Sequence, residues 1–217
     1  MHIPDGYISP TTVIATYAVA IPLWAYGFKK LKEKLNEETL PLIGALSAMS
    51  FIIMMFNIPI PGGTSGHAVG AALIAILFGP WVSFISVSLV LLIQSVFFGD
   101  GGISALAINS LGMAFAGAFS ASFTFNALKD KKFSPFIAGW ISAVGASFVI
   151  ALALGIQPIF WTQNNQALYF PFDLQTTMVA LVGSHMLFFG VVEGLFTQFA
   201  YSYLKEKDKI KDLSYEN

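Results

Sequence analysis

Seven long stretches of this chain contain at most one charged residue each, and this feature constrains its fold most strongly. The stretches are Thr11–Phe28, Leu40–Ile58, Gly66–Phe78, Trp81–Phe98, Ile103–Ala127, Pro135–Ile156 and Gln175–Leu204. A helix needs about 20 apolar residues to cross about 30 Å of hydrocarbon, and most of these stretches are long enough. Only 11% of the 217 residues are Asp, Glu, Lys or Arg, against about 25% in soluble domains. The sequence therefore predicts an all-α, multi-pass integral membrane protein.

The lysines predict how the chain crosses the membrane. Its eleven basic residues are all lysines, in three clusters: Lys29, Lys30, Lys32 and Lys34; Lys129, Lys131 and Lys132; and Lys205, Lys207, Lys209 and Lys211. Lysine clusters favour the cytoplasmic side. All three clusters lie on one side of the membrane only if Gly66–Phe78 and Trp81–Phe98 are two separate crossings. The prediction is seven transmembrane helices in one domain, 1–217, with an extracellular N-terminus, a core over 11–204 and a cytoplasmic tail over 205–217.

The segment before the third apolar stretch is rich in proline and glycine. It reads NIPIPGGTSGH, from Asn57 to His67. Such backbone is tolerated at membrane depth only where it is buried in protein or lines a cavity. We therefore expect the loop to dip inward and to place His67 at the start of a half-length helix.

The opening MHIPDG has a chemical interpretation. The Met1 amine, the His2 amide nitrogen and the His2 imidazole can close two fused chelate rings on one metal ion, provided that the amide loses its proton. These nitrogens lie naturally in a plane, and a fourth would complete the square-planar geometry typical of Ni(II) or Cu(II). His67 is the best candidate, which makes 1–10 an N-terminal metal-binding segment folded into the protein. From the residues alone, a metal site and a purely structural role remain equally open.

Other polar residues are candidates for supporting roles. A ligating histidine usually has a hydrogen-bonded partner behind it, and His185, Ser65, Asn109 and Asp5 could supply one, as could Asp100 and Gln94. A structural role is an equal alternative for His185, and we expect Asp5 to fix the N-terminal turn. Glu193 is expected near mid-bilayer, protonated or paired, because an unpaired charge there is costly.

Small residues recur every four positions on two predicted helices, which lets helix backbones approach closely. The first ladder, Thr12, Thr16 and Ala20, is equally compatible with internal packing and with a partner subunit. The second is Gly139, Ala143, Ser147, Ala151 and Gly155, and it is expected to pack within the chain.

Three stretches together closely resemble the CbiM/NikM family, the substrate-specific membrane components of energy-coupling-factor importers for cobalt and nickel. They are MHIPDGYISP, MMFNIPIPGGTSGHAVGAALIAILFGPW and FFGDGGISALAINSLGMAF. The resemblance implies seven helices in a prokaryotic cytoplasmic membrane and an extracellular N-terminus plugged into the protein. It also implies Ni(II) or Co(II) as the transported substrate, held by the nitrogens of Met1, His2 and His67.

The sequence also bears on the source of energy and on partners. It contains no Gly-x-x-x-x-Gly-Lys-[Ser/Thr] phosphate loop and no His-Glu-x-x-His motif, so we expect a transporter subunit and not an enzyme. The resemblance implies a transmembrane coupling subunit, two ATPase subunits and, in many systems, a small accessory membrane subunit. A net charge of −1 without a basic stripe argues against nucleic acid as a partner.

Two other functions stay open at this stage. One is an ion-coupled secondary transporter in which Glu193 and His185 relay protons. The other is a vitamin-binding component of the same importer class. For the metal itself, a planar nitrogen set with a deprotonated amide favours nickel over cobalt.

Overall fold

The computed structural model describes residues 1–60, 64–128 and 131–206. Within these ranges the helices are α1 (Pro10–Lys34), α2 (Thr39–Met54), α3 (Ala71–Phe78), α4 (Pro80–Phe98), α5 (Leu106–Leu128), α6 (Ser134–Phe160) and α7 (Leu174–Glu206). Of the predicted cytoplasmic lysines, Lys129, Lys207, Lys209 and Lys211 lie outside the described residues, as does most of the predicted tail.

The prediction of a mostly helical membrane protein is confirmed. Each apolar stretch overlaps one of the seven helices, and α3 and α4 are separated at Gly79, as the lysine argument requires. Five of the helices are long and apolar enough to cross a membrane. The other two are α2, with 16 residues, and α3, with 8. Seven complete crossings therefore remain a proposal.

Two small hairpins correct the all-α prediction. Strands β1 (Ile58–Ile60) and β2 (Thr64–Gly66) pair antiparallel within the proline- and glycine-rich loop. Strands β3 (Thr162–Gln163) and β4 (Gln166–Ala167) do the same between α6 and α7. Short hairpins satisfy backbone groups that a helix-only prediction overlooks.

Helix α3 lies at the centre of the molecule. Seven of its eight residues are buried, and it packs against α4, α5, α6 and α7. It begins at Ala71 and not at His67, because Gly70 adopts a left-handed backbone conformation with φ of +78°. His67 is therefore in the loop that leads into α3, which corrects its predicted position within the helix.

The ends of three helices show where the described lysines lie. Gln157, at the end of α6, accepts a hydrogen bond from the Ser9 backbone at the start of α1. The start of α7 packs on Gly155 of α6, whose Cβ would meet Leu174 at 2.7 Å. The start of α1, the end of α6 and the start of α7 thus share one end of the molecule. The lysines of α1, Lys131, Lys132 and Lys205 lie toward the opposite end.

Wider π-helical turns interrupt three of the long helices. They cover Gln94–Phe98 in α4, Ser110–Ala116 in α5, and Val179–Gly183 and His185–Phe189 in α7. Such turns are frequent at functional sites. Three of these four turns begin at or next to the polar side chains of Gln94, Asn109 and His185.

A candidate metal pocket at the N-terminus

The first three residues are inserted into the protein. Met1 and Ile3 are fully buried and His2 is 9% exposed. The Asn109 side chain accepts a hydrogen bond from the Ile3 backbone N–H at 2.9 Å, and its amide group donates to the Ile3 carbonyl at 3.0 Å. This paired contact holds the terminus as a sheet partner would, so Asn109 positions the backbone next to His2.

The loop between α4 and α5 clamps the turn that follows. The Gly102 N–H donates to the Ile3 carbonyl at 2.9 Å, and a Cβ on Gly102 would lie 2.4 Å from the Asp5 backbone nitrogen. The Asp5 carboxylate accepts hydrogen bonds from Ile103 and Ser104. The Ser104 hydroxyl and these backbone N–H groups hold the pKa of Asp5 below its ordinary value. The contacts fit the expectation that Asp5 fixes the turn.

The Met1 amine faces the β1–β2 hairpin. It donates a hydrogen bond to the Ser65 carbonyl, and its distance to the Ser65 hydroxyl oxygen is 3.5 Å. An amine has several N–H groups but a single lone pair, so a neutral amine that donates to Ser65 keeps that lone pair for another partner. The predicted supporting residue Ser65 therefore directly contacts the predicted ligand.

His67 reaches the same pocket from the loop after the hairpin. Its Nδ1 lies 3.0 Å from the Ala68 carbonyl oxygen, and because a carbonyl only accepts, Nδ1 carries the proton. The Nε2 atom then presents a lone pair. It is buried and has no hydrogen-bond partner in the described residues. Such an orphaned buried group costs about 1–3 kcal/mol, which indicates a ligand.

His2 has two buried nitrogens without a hydrogen-bond partner in the described parts of the chain. Its Nδ1 lies 3.1 Å from a carboxylate oxygen of Asp100. Asp100 thus places a negative charge beside the ring, and Nδ1 offers a lone pair to a further group when the ring proton is on Nε2.

Burial keeps the proposed ligands neutral. It lowers the pKa of the Met1 amine to about 5, although Asp100 acts in the opposite direction. Burial also lowers the pKa of His2, and Asp100 again opposes the shift. Near neutral pH both groups are therefore uncharged, and each has a lone pair available beside its remaining N–H protons.

The relative placement of the two imidazoles is consistent with one shared ion. The ring centroids of His2 and His67 lie 4.7 Å apart and their planes differ by 20°. Two imidazoles at neighbouring corners of a square-planar ion, with metal–nitrogen bonds of about 2 Å, would place their centroids about 4.5 Å apart. In the described residues, no three His, Cys, Asp or Glu side chains come together to hold a metal, so an ion here needs backbone nitrogens as well.

His185 lies beyond the pocket on α7, fully buried. Its Nδ1 contacts the Leu181 carbonyl at 2.7 Å, and its Nε2 has no hydrogen-bond partner in the described residues. It interacts electrostatically with His67 and with the Met1 amine. The structure therefore brings the predicted His185 near His67 and the Met1 amine, without a direct bond to either.

The structure also identifies contacts that the sequence did not resolve. Asp100 lies beside His2, whereas the sequence offered it only as one of several polar candidates. The Glu193 carboxyl group accepts the Val69 and Gly70 backbone N–H groups at 2.7 and 2.9 Å. No signal in the sequence joins α7 to this loop, because the two are more than 120 residues apart.

The two ladders of small residues differ in burial. In the first, Ala20 is fully buried and Thr12 and Thr16 are half-buried, so both internal packing and a partner surface stay predictions there. A Cβ on Gly139 would lie 2.8 Å from the Glu193 carbonyl oxygen. The second ladder thus packs within the chain, as predicted, and its partner there is α7.

Fold and pocket together define a multi-pass membrane protein with a buried, nitrogen-rich pocket at one end. The chain belongs to the CbiM family: residues 2–209 match the family model described as cobalt uptake substrate-specific transmembrane region. This confirms the resemblance found in the sequence.

Named relatives come from several prokaryotes. The chain is 40% identical over 206 residues to the fused nickel transport protein NikMN of Rhodobacter capsulatus, which covers 91% of this chain and 59% of that protein. It is 30% identical over 200 residues to the cobalt transport protein CbiM of Geobacter sulfurreducens, covering 91% and 57%. The chain thus spans less than two thirds of the length of either relative.

Two solved structures share the fold. A truncated transition metal transporter superposes with a TM-score of 0.92 at 40% identity, covering 95% of this chain and 99% of the other. A second transition metal transporter gives 0.92 at 39% identity, covering 96% and 94%.

Proposed function

We propose that this chain is the substrate-binding membrane subunit of an importer for Ni(II) or Co(II). The observation that carries the proposal is the pocket that buries the Met1 amine, both nitrogens of the His2 ring and Nε2 of His67. Family membership supports it, since named relatives are nickel and cobalt transport proteins.

The proposed ligands are four nitrogens. Three come from the chain start, namely the Met1 amine, the His2 amide and the His2 imidazole Nδ1, and the fourth is Nε2 of His67. The amide gives up its proton when the ion binds. This set requires that Met1 carries an unmodified amine in the mature protein.

Five residues are proposed to support these ligands. Asn109 holds the backbone beside His2, Ser65 orients the amine, and Asp5 closes the turn. Asp100 places a negative charge beside the His2 ring, which favours binding of a divalent cation. His185 is proposed to tune the pocket from α7 without ligating the ion.

Nickel is the favoured substrate. Four nitrogens in a plane, one of them a deprotonated amide, form a strong ligand field that suits low-spin Ni(II). Co(II) can use the same nitrogens, so the difference between the two is one of affinity.

Import is proposed to be ATP-driven by an energy-coupling-factor assembly. The chain carries no phosphate-binding loop, so partners would supply energy: a transmembrane coupling subunit, two ATPase subunits and a small accessory membrane subunit. The N-terminus is proposed to face the outside, because the described lysines lie at the end opposite the pocket and lysines favour the cytoplasm.

The direct test uses purified protein with a C-terminal tag. We expect one Ni(II) or Co(II) per chain by metal analysis, and tighter binding of Ni(II) by isothermal titration calorimetry. Failure to bind either ion would contradict the proposal. In proteoliposomes, uptake should require the coupling subunit and ATPases. Uptake by this chain alone under a proton gradient would instead favour a secondary transporter.

A further inference from the structure

A buried carboxyl group on the last helix is hydrogen-bonded to the loop that carries His67. Glu193 is 1% exposed. One carboxyl oxygen lies 2.7 Å from the Val69 nitrogen, and both lie within 3.0 Å of the Gly70 nitrogen. These backbone N–H groups precede α3 and would otherwise be unsatisfied donors at a helix start. The loop is therefore fastened to α7 two residues from His67.

The Val69–Gly70 turn is also hydrogen-bonded to a second helix, α2. The Ser50 hydroxyl of α2 donates to the Val69 carbonyl at 2.6 Å. Val69 thus has its N–H bound to one helix and its carbonyl bound to another. The left-handed conformation of Gly70 turns its N–H toward Glu193 as well. This short segment has little freedom to move unless α2 or α7 moves.

A second contact joins α7 to the loop one helical turn earlier. A Cβ on Gly66 would lie 2.1 Å from the Phe189 ring, so the ring is pressed against the backbone there. Gly66 and Val69 flank His67 in the chain, and Phe189 and Glu193 are four residues apart on one face of α7. The helix therefore holds the loop on both sides of the proposed ligand.

We propose that Glu193 is a positioning residue that sets the reach of His67 into the pocket and couples the metal pocket to α7. The proposal rests on the proposed metal-binding function. Lys205 follows Glu193 by twelve residues, about 18 Å along a helix. A displacement of α7 at its lysine-bearing end would pull the Val69–Gly70 turn with it and withdraw His67 from the ion.

The test is a graded series at position 193. Glu193→Gln keeps the shape and one acceptor oxygen, and Glu193→Leu removes both acceptors. Loss of a group that orients a ligand typically costs about 10–100-fold in metal affinity. We expect Glu193→Gln to weaken Ni(II) binding by about tenfold and Glu193→Leu by more, measured on protein that elutes as folded in detergent. Hydrogen exchange over Ser65–Gly70 should rise in the same order.

Thr197→Val is the matched control. Thr197 lies on the same face of α7, is fully buried, and its hydroxyl has no hydrogen-bond partner in the described residues. Its substitution should leave Ni(II) affinity unchanged.

Repeating Glu193→Gln in a His67→Ala protein distinguishes an effect that acts through His67 from a general loss of structure. In His67→Ala, the chain start alone should give weak, spectroscopically visible Ni(II) binding. Glu193→Gln should not weaken this residual binding, because its effect passes through His67. Equal loss in both backgrounds, or parental affinity in Glu193→Gln, would overturn the inference. If the parent protein binds no metal, the proposed function itself fails.

Discussion

At the scale of single residues, the pocket depends on which nitrogen of each histidine is occupied. The Ala68 carbonyl takes the Nδ1 proton of His67, so only Nε2 can face an ion. The His2 ring has no such carbonyl partner in the described residues, so its Nδ1, the atom that the chelate ring needs, is available to bind an ion. The sequence identified both histidines, but the assignment of nitrogens required the folded backbone.

Removal of either imidazole should abolish tight binding. His2→Ala opens one chelate ring, and His67→Ala removes the ligand supplied by another segment. His185→Ala should weaken binding less, because its ring only adjoins the pocket. Calorimetric titration of folded, detergent-solubilised variants measures all three. His67→Ala with parental affinity would require a different fourth ligand.

Affinity should depend on pH in two regimes. Burial lowers the pKa of the Met1 amine from 8.0 to about 5, so the folded amine is already neutral at pH 7. Between pH 7 and 8 only the His2 amide proton is displaced, and affinity should rise about tenfold per pH unit. Near and below pH 5 the amine also binds a proton, so affinity should fall more steeply. Titrations across pH 4.5–8 test this, and affinity independent of pH would exclude the amide ligand.

The same shift makes the metal-free protein more stable as pH rises. The folded amine has a lower pKa than the unfolded one, so the unfolded state binds more protons between pH 5 and 8. The amine's contribution to stability is therefore complete above pH 8 and is lost as the pH falls toward 5. Melting temperatures of the metal-free protein should increase across this window. N-terminal acetylation, which removes the titrating group, should flatten that part of the increase.

At the scale of elements, the loops position the pocket and the helices support the loops. The apolar stretches predicted the existence and order of the helices, because hydrophobic length is a strong signal, and missed their ends by up to about six residues. The sequence did not predict the β1–β2 hairpin, the π-helical turns or the hydrogen bonds of Glu193. They depend on contacts between residues far apart in sequence, which periodicity does not record.

Close packing on Gly66 offers a test at this scale. Gly66→Ala would drive a methyl group into the Phe189 ring, so the loop or α7 must shift. We expect a lower melting temperature and weaker Ni(II) binding. Gly44→Ala is the control, since a Cβ added there would meet no other part of the described structure within 4 Å. It should bind like the parent, and equal behaviour of the two variants would show that the loop tolerates displacement.

At the scale of the whole molecule, the pocket and the described lysines occupy opposite ends. The lysine pattern predicted this from the sequence, and the directions of α1, α6 and α7 agree with it. Which end faces outward stays a proposal. Seven full crossings also stay a proposal, because α3 is about 12 Å long and does not cross the hydrocarbon as a helix alone.

The chain has no cysteine, which allows labelling at chosen sites. A thiol introduced by Gln163→Cys, in the hairpin at the pocket end, should react in intact cells with a membrane-impermeant maleimide. One introduced by Lys32→Cys should react only after the membrane is opened. The reverse pattern would place the pocket on the cytoplasmic side.

The central claim is that the chain's own amine binds the transported ion. Met1 is fully buried against Ser65, so residues added before it would both displace the terminus and replace the amine with an amide. The measurement is the Ni(II) content and affinity of two purified forms, one tagged only at the C-terminus and one with an uncleaved N-terminal extension. The account predicts one tightly bound ion in the first form and loss of tight binding in the second. Equal, tight binding by both forms would contradict it.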